Sequence, residues 1–359
     1  MLRNHPTLKH IVGRAGWYFL TFLVAVTINF VLPRLGDANP VDTLIARSAS
    51  GLDTESAREK QEQYLMEFGL VESKTENGKR VVVRDADGKP VRTSIISQFV
   101  SYLGKSLSGD LGTSILQYPK RVGEIIETAI PWTLALQLPT IVFGWLIGNV
   151  LGALAAYRRG VFDGVFYPLA LLASAIPAFC VGILLVYFFG IRLEWFPAVG
   201  GYEESMIPEL SWAFVSNASY YYVLPFLSIF IVVVGGQAIG MRSMCIYELG
   251  TDYVKYAKLL GIKERKILFY IFRNAMLPQL TGLALALGAM VGGALITEII
   301  FSYPGLGLAV LTAIQGSDYP VITGCTLLIT VSVLIANFGV DVLIGVLDPR
   351  VRAAQQGGK

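Results

Sequence analysis

Long apolar runs separated by polar links dominate this chain. Runs at about 15–33, 132–157, 162–190, 222–245, 275–301 and 321–347 each approach or exceed the roughly 20 residues with which a helix crosses a bilayer core. The pattern predicts an all-α membrane protein with six transmembrane helices. Pro139, Pro168, Pro177 and Pro225 fall within or beside these runs, where packed neighbours can satisfy the carbonyls a proline frees. Arg34-Leu35-Gly36-Asp37 follows the first run and provides no Ala-x-Ala cleavage site. An uncleaved first span is therefore expected.

Two regions break the apolar pattern. Residues 35–131 are mixed in charge. They contain an amphipathic stretch at 56–70, with Ala57, Tyr64, Leu65 and Phe68 as face residues. A small β-hairpin is expected around Arg80-Val81-Val82-Val83-Arg84, the turn Asp87-Gly88, and Pro90-Val91-Arg92. An apolar-periodic piece follows at 95–107. The region is either a passive cap or a docking surface for an external partner.

The second region links the fourth and fifth runs. Asp252 there can cap or charge the first turn of a helix. Tyr253, Tyr256 or Ala257, and Leu260 would share one face, and Gly261 can end the helix in the left-handed conformation. A short amphipathic helix follows, suited either to the membrane surface or to a groove on a cytosolic partner.

Composition agrees with this outline: 54% of the 359 residues are hydrophobic and only 15% are charged. A soluble domain carries about 25% charged residues, so a soluble enzyme and a disordered chain are both disfavoured. Counted over the short links and the termini alone, the basic residues alternate. Arg3, Lys9 and Arg14 precede the first span, and Arg158 and Arg159 lie between the second and third. Arg242, Lys255, Lys258, Lys263, Arg265, Lys266 and Arg273 cluster around the fourth link, and Arg350, Arg352 and Lys359 close the chain. The short opposite loops, 191–221 and 302–320, hold Arg192 with Glu194, Glu203, Glu204, Glu209 and Asp318. The positive-inside rule then makes both termini cytoplasmic and puts the loop after helix 1 outside. The expected divisions are 1–34 (N-terminus and first span), 35–131 (extracytoplasmic loop), 132–349 (a core of five spans with a coupling loop at 246–274) and 350–359 (tail).

Little catalytic material is present. Cys180, Cys245 and Cys325 are widely spaced and form no CxxC pair, and His5 and His10 sit ahead of the first span. Metal sites and catalytic residues are therefore not expected. Gly104-Lys105-Ser106 is the nearest fragment to a phosphate-binding loop, but Phe99 occupies the place of its first glycine. Charges inside the runs are few, and Glu298 and Asp341, both near an interface, are the ones considered for function. Asn29, Gln137, Asn149, Gln237, Thr297 and Asn337 could line a neutral path, with Asn29, Gln137, Gln237 and Glu298 the foremost candidates. A proton-coupled carrier would be expected to show carboxylates or histidines in mid-span, so the energy source is expected outside the chain. A stand-alone channel or secondary transporter would explain the spans but not the cytoplasmic helix. An intramembrane enzyme lacks acid–base groups.

Four stretches carry a family resemblance. Gly109-Asp110-Leu111-Gly112-Thr113-Ser114 is the first. Ile176-Pro177-Ala178-Phe179 with Arg192-Leu193-Glu194-Trp195-Phe196-Pro197 is the second. Phe301-Ser302-Tyr303-Pro304-Gly305-Leu306-Gly307 with Asp318-Tyr319-Pro320 is the third, and Leu347-Asp348-Pro349-Arg350-Val351-Arg352 is the last. In this order and spacing the chain resembles the oligopeptide/dipeptide-type permeases of bacterial ABC importers over nearly its whole length. The fourth link resembles their EAA loop through Ala257 and Gly261; Lys255 and Tyr256 stand where the general motif has Glu and Ala. The resemblance implies a multi-pass subunit of the bacterial inner membrane, paired with a second permease. It also implies two cytosolic ATPase subunits, which would bind ATP and Mg, an extracytoplasmic solute-binding protein, and no nucleic acid. Residues 252–261 would contact the ATPase, and 74–93 looks like an insertion in the family core. Peptides are the implied cargo, with oligosaccharides or nickel complexes as alternatives.

Overall fold

The computed structural model describes residues 6–31, 54–67, 69–76, 79–85 and 87–347. His5, Phe68, the Asp348-Pro349-Arg350 ending and the 350–359 tail lie outside the described residues.

Helices dominate. They are α1 (Pro6–Val31), α2 (Thr54–Glu67), α3 (Ile95–Leu107), α4 (Val122–Arg158), α5 (Gly160–Ala175) and α6 (Ala178–Leu185), which runs on as a π-helix (Val186–Arg192). Then come α7 (Trp212–Leu249), α8 (Asp252–Leu259), α9 (Glu264–Gly293), α10 (Leu295–Ile300), α11 (Leu306–Gln315) and α12 (Tyr319–Leu347). Four stretches are long and apolar enough to cross a membrane: Gly13–Val31, Val122–Arg158, Trp212–Leu249 and Tyr319–Gly339. The pair α5 and α6, bent by 98°, is a fifth if it counts as one span. The protein is thus a mostly helical membrane protein with four to five candidate spans among the described residues.

Several helices outrun their apolar cores. At 1.5 Å per residue α7 is about 57 Å long, against a hydrocarbon core of about 30 Å. It starts at Trp212 rather than near 222 and ends at Leu249. Likewise α4 starts at Val122 and α9 at Glu264. Polar residues flanking an apolar run can still take up helical turns, and hydropathy does not register them. The third predicted run is also not one straight helix. Ile176 precedes Pro177, a position that disfavours the α conformation, and its backbone is extended at φ −88° and ψ 127°. A further difference is the ten-residue helix α11 inside the expected loop 302–320.

The chain divides into two compact units. One comprises Met1–Phe22, Ala129–Leu308 and Ile329–Lys359; the other comprises Leu23–Thr128 and Ala309–Leu328. In the first, α4 packs closely on α7 through Gly144, Gly148 and Gly152. A Cβ at Gly152 would lie 2.2 Å from the Ala238 carbonyl oxygen. Small residues at four-residue spacing let membrane helices approach in this way. Arg242 of α7 grips Asp163 of α5 through two hydrogen bonds of 2.6 and 2.5 Å. Its guanidinium also lies 4.1 Å from the centre of the Tyr167 ring. Asp341, a charge inside the sixth predicted run, accepts hydrogen bonds from Arg14 and Tyr18.

In the second unit, α2 covers most of the predicted amphipathic stretch, with Tyr64 and Leu65 half-buried. The hairpin forms around Asp87-Gly88: Gly88 takes φ +75°, and the Asp85 carboxylate accepts the Asp87 and Lys89 N–H groups at 3.0 and 2.9 Å. A second pairing accompanies it. Strand β1 (Ser73–Glu76) runs antiparallel to β2 (Lys79–Val82), with Ser73 opposite Val82. Ser-Lys-Thr-Glu shows no apolar alternation, so the pattern could not announce this strand. Helix α3 has the predicted bounds, with Ser94 as its N-cap.

Candidate functional site

The short helix predicted in the fourth link exists as α8, and its C-terminal stop is the predicted one. Gly261 has φ +68°. The Ile262 N–H reaches back to the Ala257 carbonyl at 3.1 Å and the Gly261 N–H to Lys258 at 3.0 Å, the paired closure that needs a left-handed residue. At the other end Asp252 is not the cap. Thr251 is, and Asp252 sits exposed in the first turn with Lys255 2.9 Å away.

The face expected from the sequence is buried in part: of Tyr253, Tyr256 or Ala257, and Leu260, Ala257 is buried and Tyr253 half-buried, while Tyr256 and Leu260 are exposed. Val254 and Ala257 are buried, whereas Tyr256 is 66% exposed and Leu260 78% exposed. Val254 and Ala257 join Ala156, Met241, Cys245, Ile267, Ile271 and Ala275 in one apolar cluster drawn from α4, α7, α8 and α9. Tyr253 is half-buried against it. Eight residues make little more than two turns, so a one-position rotation of the apolar face fits the sequence about equally well. The tertiary partners decide which face is buried. A polar knot fixes that choice: the Tyr253 hydroxyl donates to Glu248 at 2.7 Å, and Asn274 donates to Glu248 at 3.3 Å and to Tyr253 at 3.1 Å. Burial, then the hydrogen bond to Glu248, push the Tyr253 phenol above its usual range, so it remains a proton donor at neutral pH.

The result is a helix rooted by one face and bare on the other. Tyr256, Leu259 and Leu260 project large apolar surfaces, with Leu259 82% exposed. Lys255, Lys258 and Lys263 flank them.

The family-motif stretches form two junctions. In the first, Glu298 of α10 is fully buried. Its Oε2 accepts the Gly307 N–H at 2.6 Å, while Thr133 of α4 accepts the Leu306 N–H at 2.9 Å. These are orphan donors at the start of α11, and a carboxylate is the favourable group there. Pro304 and Gly305 complete the turn. A Cβ on Gly305 would fall 2.4 Å from Glu298 Oε2, and one on Gly307 would fall 2.5 Å from the Leu295 carbonyl.

In the second junction, Gly109 and Gly112 take φ +82° and +85°, and Asp110 accepts the Gly112 N–H at 3.1 Å. This turn delivers Ser114 to Asp318, whose Oδ2 accepts the Ser114 hydroxyl at 2.5 Å and the Leu116 N–H at 2.9 Å. The same Asp318 leads into α12, with Oδ1 3.4 Å from the Val321 N–H. Pro177, in the remaining described stretch, stands at the break before α6.

The path candidates separate. Gln237 lines a cavity of about 190 Å³ with Ile141, Trp145, Val233, Leu283 and Ala286, and its Oε1 has no hydrogen-bond partner among the described residues. Asn29 is engaged with Thr323, Thr326 and Tyr102. Gln137 is buried in α4, and Glu298 belongs to the motif turn. Arg242 with Asp163 was not foreseen as a pair; the only signal was an arginine near one end of a run and an aspartate near the start of another.

Candidate spans accompanied by a short helix bare on one side define a helical membrane protein. The matching family model is the binding-protein-dependent transport system inner membrane component, over residues 148–353. Among curated relatives, the glutathione transport system permease protein of Salmonella choleraesuis is 33% identical over 257 residues, 71% of this chain and 79% of its own. The dipeptide transport system permease protein of Escherichia coli is 29% identical over 96% of this chain and 99% of its own. The oligopeptide transport system permease protein of Bacillus subtilis is 28% identical over 92% and 96%. The chain belongs to the family of binding-protein-dependent transport system inner membrane components. It is the membrane permease of such an ABC importer, not its ATPase.

Proposed function

We propose that this permease imports peptides by alternating access, driven by ATP hydrolysis in two cytosolic ATPase subunits that supply the nucleotide and Mg sites. A second permease would complete the membrane pair, and an extracytoplasmic binding protein would deliver the solute. The peptide cargo is supported by the names of the relatives, which include dipeptide, oligopeptide and glutathione systems. In this reading α9 is the remaining span of a six-helix topology with both termini cytoplasmic. Its 30 residues would run about 45 Å, and the basic side chains at its start agree with a cytoplasmic end. The divisions 1–34, 35–131, 132–349 and 350–359 follow from that topology.

One observation carries the proposal: α8 is anchored in the core by Val254 and Ala257 while Tyr256, Leu259 and Leu260 face outward. An anchored helix with a bare apolar side transmits force from a partner groove. Asp252, Tyr253, Lys255, Tyr256, Ala257, Leu260 and Gly261 would make up the contact and its footing. Gln237 is the foremost residue of the translocation path, since it meets open space within the α4, α7 and α9 packing.

The test is a Leu259→Ser/Leu260→Ser double substitution, made in the assembled transporter. Both side chains touch little of their own chain, so folding should survive while ATPase capture falls and peptide uptake is lost. Normal uptake with full ATPase retention would refute the assignment.

A further inference from the structure

Helix α3 (Ile95–Leu107) has three faces rather than two. Phe99, Tyr102 and Ser106 form the first, at i, i+3 and i+7. Phe99 and Tyr102 meet Phe30 at ring-centre distances of 5.2 and 5.4 Å. Phe30 is fully buried and stands in the last turn of α1, which is one of the membrane-crossing stretches. The second face is apolar and uncovered: Ile96 is 77% exposed, Val100 63% and Leu107 71%, at i, i+4 and i+11, with half-buried Leu103 completing the row. The third face is polar and exposed, carrying Ser97, Ser101 and Lys105.

We propose that α3 lies in the membrane interface, with the Ile96–Val100–Leu107 row set into the acyl chains of the leaflet where α1 ends. The argument is one of continuity. On α1, Val24, Ile28 and Val31 form an exposed row, 51%, 57% and 37% accessible, which faces lipid if α1 spans the bilayer. That row ends at Val31, the residue after Phe30, on which α3 rests. The uncovered row of α3 therefore begins at the depth where the lipid-facing row of α1 stops. A helix there needs one face for protein, one for lipid and one for water, and α3 has that division. Large apolar side chains opposite a lysine and serines, with no acidic residue in the helix, suit the boundary between headgroups and acyl chains, where the Lys105 stem can reach the phosphates. A helix seated wholly in water would leave this apolar row without a partner. The consequence is that the loop after α1 is tethered to the bilayer at a second point.

The test uses the complete transporter in phosphatidylcholine nanodiscs. A phosphatidylcholine carrying a diazirine near the carbonyl end of its acyl chain should label the unaltered chain at Ile96, Val100 or Leu107. Nitroxides at Ile96→Cys and Val100→Cys, with Cys180, Cys245 and Cys325 replaced, should collide more with oxygen than with a nickel chelate. The preference should reverse at Ser101→Cys. The lipid position is overturned if Ile96 and Val100 prefer the nickel chelate, which would place them in water. It is also overturned if both positions are shielded from both reagents and carry no lipid adduct, which would mark the row as the seat of a partner chain.

Discussion

Two glycine-ended turns in the same unit are built for opposite reasons. In the turn after α10, Gly305 and Gly307 are required by lack of room: the buried Glu298 carboxylate and the Leu295 carbonyl occupy the space a Cβ would fill. At the end of α8, nothing lies within 4 Å of a Cβ on Gly261, and the glycine is required by its φ of +68°. The first turn is closed, with the N–H groups of Tyr303, Gly305, Leu306 and Gly307 all engaged, the arrangement of a structural joint. The second is surrounded by exposed Tyr256, Leu259 and Leu260, which supports the partner contact proposed for α8. Glycine in a motif thus has two physical meanings, and the neighbouring atoms tell them apart.

Substitutions can break this contrast. The largest effect is expected from Gly305→Ala, because overpacking against buried backbone and a carboxylate costs about 3 kcal/mol. Loss of the monodisperse peak in detergent, with a matching fall in thermal stability, is the expected outcome. A chain as stable as the parent would show that the turn has slack. Asp318→Ala comes next. It removes the acceptor of the Ser114 O–H and of the Leu116 N–H, while Ser114 Oγ still accepts the Gln117 N–H; the loss is about 2 kcal/mol for hydrogen bonds to a charged group, and a thermal melt in nanodiscs would register it. Gly261→Val should cost less in stability, about 1–2 kcal/mol for a left-handed β-branched residue. Its larger effect should be uncoupling of ATP hydrolysis from uptake, with Gly261→Asn largely restoring coupling because asparagine tolerates this conformation. Equal behaviour of Val and Asn would contradict a conformational role. The smallest effect belongs to Lys255→Ala. Its ion pair with Asp252 is exposed on both sides, and such pairs contribute little, so the melting temperature should not move measurably.

What could be read from the sequence follows the range of the interactions involved. Residues 95–107 and Gly261 were legible because periodicity and glycine conformation are local. The positions of most spans were legible because apolar length is local too. The helix ends were not, since α7 and α9 continue through polar residues that hydropathy treats as loop. The choice between Tyr256 and Ala257 on the shared face of α8 stayed open because only α7 and α9, once in place, select Ala257 with Val254 for the core. The two motif junctions illustrate the same limit. Glu298 looked like an intramembrane charge, and its role as the partner of the Gly307 N–H appears only once the turn folds back on it. Arg242 and Asp163, 79 positions apart, could be counted as charges but not paired.

The link between Ser114 and Asp318 has a bearing on the order of manufacture. The two residues are 204 positions apart. At synthesis rates of 5–20 residues per second, about 10–40 s separate their emergence from the ribosome. During that interval the Gly109–Ser114 turn must persist without the carboxylate that ends its search for a partner. The Gly109–Ser114 turn is therefore completed only once the chain has been made as far as the start of α12. A nascent chain halted before residue 318 should show that turn open to proteolysis, even with its first spans already inserted.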